Sequence, residues 1–185
     1  ADLFERQDAQ LEAAPHHERL SRLENVSEDD RRSYALRAAR AFAAAGDTMR
    51  AIGVLDGLDA PIIDGVVLRE RVTILRSAGD LFSLVLALDQ VVAAGNLSDE
   101  EVAELLLEGA RAAGAAGDAQ GALIRARRAA HLAPTMAAAV VECTALEYRL
   151  RGTGTPREAQ AAVEALQSVA SPTAPDLIEL HTFLL

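Results

Sequence analysis

Stretches rich in Ala and Leu alternate with short polar turns along most of this chain. The dipeptide Gly-Asp marks three of these turns, with its glycine at Gly46, Gly79 and Gly117, spacings of 33 and 38 residues. Gly tolerates the left-handed conformation that ends one helix, and Asp is a strong N-cap for the next. Each Gly-Asp therefore predicts the tight turn of an antiparallel helix pair, and their recurrence predicts an internal repeat.

Capping residues and prolines mark where the helix pairs begin and end. Ser27 is the expected cap of the first pair and Pro61 closes it, while Ser98 with Glu101 forms a capping box before the third pair. A second capping box, 155–158, has proline at its first helical position. These signals predict N-terminal helices that complete or cap the array, four helix pairs of which the second is degenerate, and the first helix of a truncated further repeat. The corresponding segments are 1–26, 27–61, 62–97, 98–134, 135–170 and 171–185.

The N-terminal segment carries a weaker pattern, which fits one or two helices. Pro15 followed by His16 and His17 predicts a break in this segment. Its apolar positions are Leu3, Phe4, Leu11, Leu20 and Leu23.

The third repeat resembles a tetratricopeptide repeat position by position. Numbered from Ala103 as the first place, its core positions have the spacing of that family, and Pro134 takes the place of the terminal proline. These core positions are Leu106, Gly109, Ala110, Ala113, Ala122, Ala126 and Ala129. The resemblance covers about Glu28 to Val169 and implies an all-α fold, a right-handed superhelix (α-solenoid) of stacked antiparallel helix pairs.

The second repeat departs from the family pattern, because Arg71 stands where a small or apolar residue is expected. The aromatic first anchor of the family is absent from every repeat. This degeneracy leaves other α-solenoid families, such as the shorter Sel1-like repeats, as a smaller alternative.

Composition narrows the classes of partner and compartment. A net charge of -10 argues against nucleic acid, since neutralising phosphates needs a basic surface. No apolar run approaches the roughly 18 residues of a membrane span, so we expect no membrane insertion by this segment. All 18 basic residues are Arg, which suggests a GC-rich bacterial gene and leaves periplasm or cytoplasm open.

Motifs for catalysis, cofactors and metals are missing from the sequence. There is no GxSxG elbow, no P-loop and no HExxH, so we expect neither catalytic activity nor a cofactor. His16 and His17 are adjacent and point in different directions on a helix, while His131 and His181 have no Cys or carboxylate partner at metal-ligand spacing. Cys143, the sole cysteine, falls at a place that the family fills with a small buried side chain, which favours a packed thiol.

The tetratricopeptide resemblance implies a groove lined by the first helix of each pair, and arginine is concentrated there. The candidate groove residues are Arg37, Arg40, Arg69, Thr73, Arg76, Arg111, Tyr148 and Arg149. Arg suits bidentate recognition of carboxylates, so we expect a partner with an acidic or carboxylate-bearing segment. The alternative is a solvated face of amphipathic helices, whose arginines are partly paired with Glu70, Glu104, Glu108 and Glu142.

The resemblance thus favours a non-enzymatic protein–protein interaction scaffold, cut from a larger bacterial tetratricopeptide-repeat protein. Long arrays of this kind occur in periplasmic scaffolds of exopolysaccharide secretion, and that setting is the first expectation. The alternative is a substrate-recruiting or regulatory repeat domain of a cytoplasmic multidomain protein or enzyme.

Overall fold

The computed structural model of the chain describes residues 2–95 and 97–151, which form eight α-helices and one short 3-10 helix, Ala60–Ile62, and no strand. The all-α prediction is therefore confirmed. The α-helices are α1 (Asp2–Leu20), α2 (Glu28–Ala44), α3 (Thr48–Asp56), α4 (Gly65–Ala78), α5 (Leu81–Ala94), α6 (Asp99–Ala115), α7 (Ala119–Leu132) and α8 (Ala137–Arg151). The predicted segment 171–185 and the second helix of 135–170 lie outside the described residues.

The chain divides into two compact units, Ala1–Ala94 and Gly95–Leu185. In the first unit α2 packs on both α1 and α3, α4 packs on α5, and α2 and α3 both contact α4. In the second unit α7 packs on both α6 and α8, and α6 also contacts α8. Each predicted pair thus has a first helix (α2, α4, α6, α8), followed in the first three pairs by a second helix (α3, α5, α7).

The three Gly-Asp turns have the conformation that the sequence predicts. Their glycines adopt φ angles of 82°, 70° and 89°, the left-handed region that disfavours residues with a side chain. The carboxylate of each following Asp accepts a hydrogen bond from the backbone N–H three residues later: Asp47 from Arg50, Asp80 from Ser83 and Asp118 from Gly121, at 2.8–3.1 Å. One glycine and one carboxylate therefore end one helix and begin the next.

The capping residues of α2 and α6 are also as predicted. The Ser98 hydroxyl accepts from the Glu101 N–H at 3.3 Å, while the Glu101 carboxylate accepts from the Ser98 N–H at 2.8 Å. The Ser27 hydroxyl accepts from the Asp30 N–H at 3.2 Å. These bonds satisfy backbone donors that a helix start leaves unpaired. The predicted capping box at 155–158 lies outside the described residues.

Small side chains form the contact between paired helices. In the third repeat Ala110 on α6 and Ala122 and Ala126 on α7 have no exposed surface. In the first repeat Ala38 on α2 and Ala51 on α3 are equally buried. Because a methyl group fills each of these positions, the two backbones approach closely and leave no room for larger side chains.

Arg71 shows how the second repeat accommodates its departure from the pattern. It lies eight residues before its turn glycine, the place that Ala38 and Gly109 occupy in the other repeats. Its side chain is largely buried, and one terminal nitrogen donates to Asp56 at the end of α3 at 2.7 Å. The Nε atom of Arg71 is buried with no hydrogen-bond partner. An ion pair to the preceding repeat thus accommodates a charged side chain at this position.

The predicted break at Pro15 is wrong, because α1 continues through this residue to Leu20. Proline removes one helical hydrogen bond, and only packing from elsewhere offsets that loss. Ala14 is fully buried, and the His17 ring stacks on Tyr34 of α2 with the ring centres 5.8 Å apart. Tertiary contacts on both sides of the proline therefore keep the helix intact.

Ion pairs fix the end of α1 to the first repeat. The Glu18 carboxylate accepts two hydrogen bonds from Arg50 of α3, at 2.9 and 3.1 Å, and the Arg50 guanidinium lies over the Phe42 ring. The buried residues Ala14 and Ser21 are seven residues apart, the spacing of the buried pair Ala51 and Leu58 in the first repeat. Helix α1 thus carries the burial pattern of a second helix.

Overpacking the α6–α7 crossing tests this account of the core. We expect Ala122→Leu to lower the free energy of unfolding by about 1–3 kcal/mol, because the extra atoms have no space at a fully buried position. Urea unfolding followed by circular dichroism measures the change. Gln120→Leu is the control, since Gln120 is exposed on the same helix. Equal stability of the two variants would contradict the assigned crossing.

The cap of α4 gives a prediction with a pH dependence. Asp64 accepts hydrogen bonds from the N–H groups of Val66 and Val67 and from the Arg32 guanidinium. Burial alone would raise the pKa of Asp64, but these bonds and the Arg32 charge outweigh burial and lower the pKa. A carboxyl with a lowered folded pKa stabilises the fold above its unfolded pKa, and the contribution is lost as pH falls through the folded value.

We therefore expect Asp64→Ala to reduce stability by about 1 kcal/mol at neutral pH and by less below about pH 4. Asp64→Asn keeps the capping acceptor and removes only the charge, so its loss at neutral pH should be smaller. Thermal unfolding across pH 3 to 8 compares the three proteins. A penalty for Asp64→Ala that is constant with pH would refute the role of the charged form.

Candidate partner-binding face

The predicted groove residues lie on the first helices, and those with a described side chain are exposed to solvent. We call this set, taken separately in each of the two units, the first-helix face. It comprises Arg37 and Arg40 on α2, Arg69, Thr73 and Arg76 on α4, Arg111 on α6 and Arg149 on α8. The side chain of Tyr148 lies outside the described part of the structure. Each unit therefore presents arginine on its first helices.

In the first unit an ion pair joins two neighbouring first helices. Arg40 of α2 donates to the Glu70 carboxylate of α4 at 2.5 Å, with the arginine 59% exposed and the glutamate 14% exposed. The hydrogen bond to Glu70 raises the pKa of Arg40 above its ordinary value. The bond also shows that α2 at Arg40 lies beside α4 at Glu70.

The second unit repeats the same pairing. Arg111 of α6 lies 3.5 Å, Nε to Oε2, from the Glu142 carboxylate of α8, and the two side chains are 54% and 16% exposed. Arg40 and Arg111 each stand six residues before the glycine of their Gly-Asp turn. An ion pair between consecutive first helices is thus a recurrent feature of the repeat.

Two arginines of the first-helix face differ from this pattern. Among residues 2–95 and 97–151, the structure records no ion pair for Arg37 or Arg69. The Arg69 carbonyl accepts a hydrogen bond from the Thr73 hydroxyl at 3.0 Å, and the Arg69 guanidinium lies beside Gly65 at the start of α4. Arg40 and Arg111 thus have glutamate partners, as expected for a solvated and partly paired face, whereas Arg37 and Arg69 are exposed members of that face.

A groove of about 510 Å³ opens within the second unit, between α6, α7 and α8. Its lining residues are Arg111, Gly114, Ala115, Ala119, Glu142, Leu146, Arg149 and Leu150. The repeat register predicts the two arginines of this groove but not its apolar wall. The available signal was the run of small residues around the third turn, which leaves space that bulkier side chains would fill.

Cys143 lies half-buried on α8, and its environment disfavours a thiolate. Burial raises the pKa of the Cys143 thiol, the nearby Glu147 charge raises it further, and Arg127 opposes them. A thiol that stays protonated at neutral pH is a poor nucleophile, which fits the packed role expected from the sequence.

The described residues lack two further kinds of feature. They contain no cluster of three or more His, Cys, Asp or Glu side chains placed to hold a metal ion. None of their helices combines the length and hydropathy needed to cross a membrane.

Comparison with solved structures places the chain among tetratricopeptide-like repeats. A putative kinesin light chain from Podosopora anserina, with nearly identical TPR-like repeats, is 21% identical, with a TM-score of 0.55 over 89% of this chain and 94% of that chain. MamA residues 41-end from Desulfovibrio magneticus RS-1 is 17% identical, with a TM-score of 0.52 over 96% and 88%. A crystal structure of MamA is 12% identical, with a TM-score of 0.51 over 82% and 79%. No family model and no curated protein matches the sequence.

The chain is thus a tetratricopeptide-like helical-repeat protein in its fold. The resemblance noted from the core spacing of the third repeat is confirmed at this level. Sequence identities this low define the fold alone, so the partner has to be inferred from the first-helix face itself.

The recurrent ion pair between first helices leads to a prediction about its strength. We expect a double-mutant cycle on Arg40→Ala and Glu70→Ala to give a coupling free energy below about 1 kcal/mol, because Arg40 is mostly solvated. Urea unfolding of the four proteins measures this coupling. A value above about 2 kcal/mol would instead make the pair a principal stabiliser of the repeat stack.

Proposed function

We propose that this chain is a non-enzymatic scaffold segment that binds another protein through its first-helix face. The observation that carries the proposal is the pair of exposed arginines, Arg37 and Arg69, on contacting helices α2 and α4, for which no ion pair is recorded among the described residues. They stand out in a chain with a net charge of -10. Positive charge concentrated in an acidic protein favours a local anionic ligand.

The chemistry of guanidinium groups defines the partner. Arg presents a planar fork of donors that matches a carboxylate, and several such contacts together are needed because each exposed pair is weak. We therefore propose a partner with an acidic segment of Asp or Glu. The overall acidic charge disfavours nucleic acid, whose phosphates would be repelled by most of the surface.

We further propose that this segment belongs to a larger protein. The tetratricopeptide-like fold and the use of Arg in place of Lys support a bacterial scaffold, with exopolysaccharide secretion in the periplasm as the leading setting. A substrate-recruiting or regulatory role beside a cytoplasmic enzyme is the alternative. Flanking sequence separates them: a signal peptide and an outer-membrane barrel favour the first, and a kinase or protease motif favours the second.

Peptide binding tests the proposed face directly. The probes are immobilised peptides that are identical except for Glu, Gln or Lys at the variable positions. We expect the Glu peptides alone to bind, with affinity that falls as salt rises from 20 to 300 mM. Arg37→Ala combined with Arg69→Ala should weaken binding about tenfold or more while the helical content is unchanged.

Arg19→Ala combined with Arg128→Ala is the matched control, since both residues are exposed, Arg19 on α1 and Arg128 on the second helix α7. This control variant removes the same total charge, but at two positions outside the first-helix face. Charge reversal at Arg40 or Arg111 is a poorer test, because a new glutamate would oppose Glu70 or Glu142 and destabilise the fold. Equal weakening by the test and control variants would show that net charge alone governs binding.

A further inference from the structure

Helix α5 carries an apolar stripe on the side that faces solvent. Phe82 and Leu86 are 72% and 51% exposed and stand four residues apart, which places them on one face of the helix. Exposed Gln90 and Ala93 continue this face, and we call the four residues the α5 stripe. On the other side of α5 lie residues of the core: Leu84, Leu88 and Val91. Large apolar side chains that are exposed side by side, unlike single ones, mark a contact site.

The stripe is a feature of the second repeat rather than of the repeat pattern. Phe82 and Leu86 stand two and six residues after the Asp of their Gly-Asp turn. The residues at the same two places are Met49 and Gly53 on α3, and Gln120 and Ile124 on α7. Met49 and Ile124 are 86% and 59% exposed, but each is the single large apolar residue of its pair. Among these three helices, α5 alone therefore places two large apolar side chains together.

The charges of the chain limit what can cover the α5 stripe. Asp89 is the one charged residue of α5, and it is half-buried with a partner in this chain. A charged ligand therefore meets no counter-charge on the stripe. Elsewhere a chain with a net charge of -10 repels its own copies, so a second copy is least opposed at this uncharged surface.

The order of side chains makes the stripe complementary to itself. Its large residues, Phe82 and Leu86, come first along the helix, and the small Ala93 comes last. When two copies of α5 lie antiparallel about a two-fold axis, Phe82 of each copy faces Ala93 of the other, and Leu86 lies beside Gln90. Such an isologous contact sets large residues against small ones, which lets two helices pack closely.

We propose that this chain forms a weak two-fold dimer through the α5 stripe, with the two α5 helices antiparallel. A helix of 14 residues presents a strip about 20 Å long and about 10 Å wide, well below the roughly 800 Å² that each partner contributes to a standard interface. We therefore expect a dissociation constant on the order of 100 µM. The contact uses none of the first-helix residues, so each dimer carries two copies of the first-helix face.

Sedimentation equilibrium of the full chain, from about 5 to about 500 µM, measures this dimer. We expect tighter association in about 300 mM salt than in about 20 mM salt, because salt screens the repulsion between two acidic chains. Phe82→Ala should weaken the dimer about tenfold or more. Met49→Ala is the matched control, since it removes an even more exposed apolar side chain at the same place of α3 and should leave the dissociation constant unchanged.

A second pair of measurements tests the antiparallel arrangement. Ala93→Phe should also weaken the dimer about tenfold or more, because two rings then face each other at each end of the contact. A mixture of the Phe82→Ala and Ala93→Phe chains should associate about as tightly as the original chain, since each ring again faces an alanine. This recovery shows that neither variant is misfolded. Ala93→Phe homodimers as tight as the original would overturn the antiparallel arrangement.

The other outcomes identify a different occupant or a different surface. A chain that stays monomeric at about 500 µM in both salts would overturn the dimer, and binding of that monomer to phosphatidylcholine vesicles would assign the stripe to a lipid surface. A dimer that survives Phe82→Ala would place the contact outside α5. Loss of the dimer in the Arg37→Ala, Arg69→Ala variant would place it on the first-helix face, whereas its retention there keeps the α5 contact independent of the proposed partner binding.

Discussion

Contact between small side chains of paired helices is the constraint on which the rest of this structure depends. Alanines with no exposed surface, such as Ala110 and Ala122, let two helical backbones approach closely. Helices this close need a short connection, which the left-handed glycine and capping carboxylate of each Gly-Asp turn provide. Each pair still exposes an apolar side, so its stability depends on the neighbouring pair.

Stacking of pairs also determines the electrostatics of the first-helix face. Where the next first helix carries a glutamate at the matching place, an arginine is neutralised by it, as Arg40 is by Glu70. Where none is recorded among the described residues, as at Arg37, we propose that the guanidinium binds a ligand. The same repeat geometry therefore produces both a structural ion pair and a candidate binding charge within one turn of helix.

Local signals in this sequence predict local structure well. The Gly-Asp turns and the Ser98 capping box are formed by residues within a few positions of each other, so their outcome does not depend on distant packing. The break expected at Pro15 failed because contacts from α2 and α3 hold the helix through the proline. Such contacts join residues far apart in the chain, so the local sequence pattern does not predict them.

The candidate site, too, is predictable from the sequence only where it depends on local features. The arginines of the first-helix face follow from the repeat register, whereas the groove beside Leu146 depends on how three helices pack together. Likewise, the sequence shows both Arg111 and Glu142 but cannot show that they meet across two helices. The repeat register can be found within one repeat, whereas these contacts depend on how neighbouring helices pack.

The most direct test of the binding account is to observe the guanidinium groups themselves by NMR. Chain labelled with ¹⁵N at arginine gives Nε–Hε signals, which are assigned by single substitution and followed as a Glu-rich peptide is added. Binding at the first-helix face predicts that the signals of Arg37 and Arg69 shift and saturate together, while those of Arg19 and Arg128 stay in place. Shifts confined to Arg19 and Arg128, or equal shifts at all arginines, would contradict binding at the first-helix face.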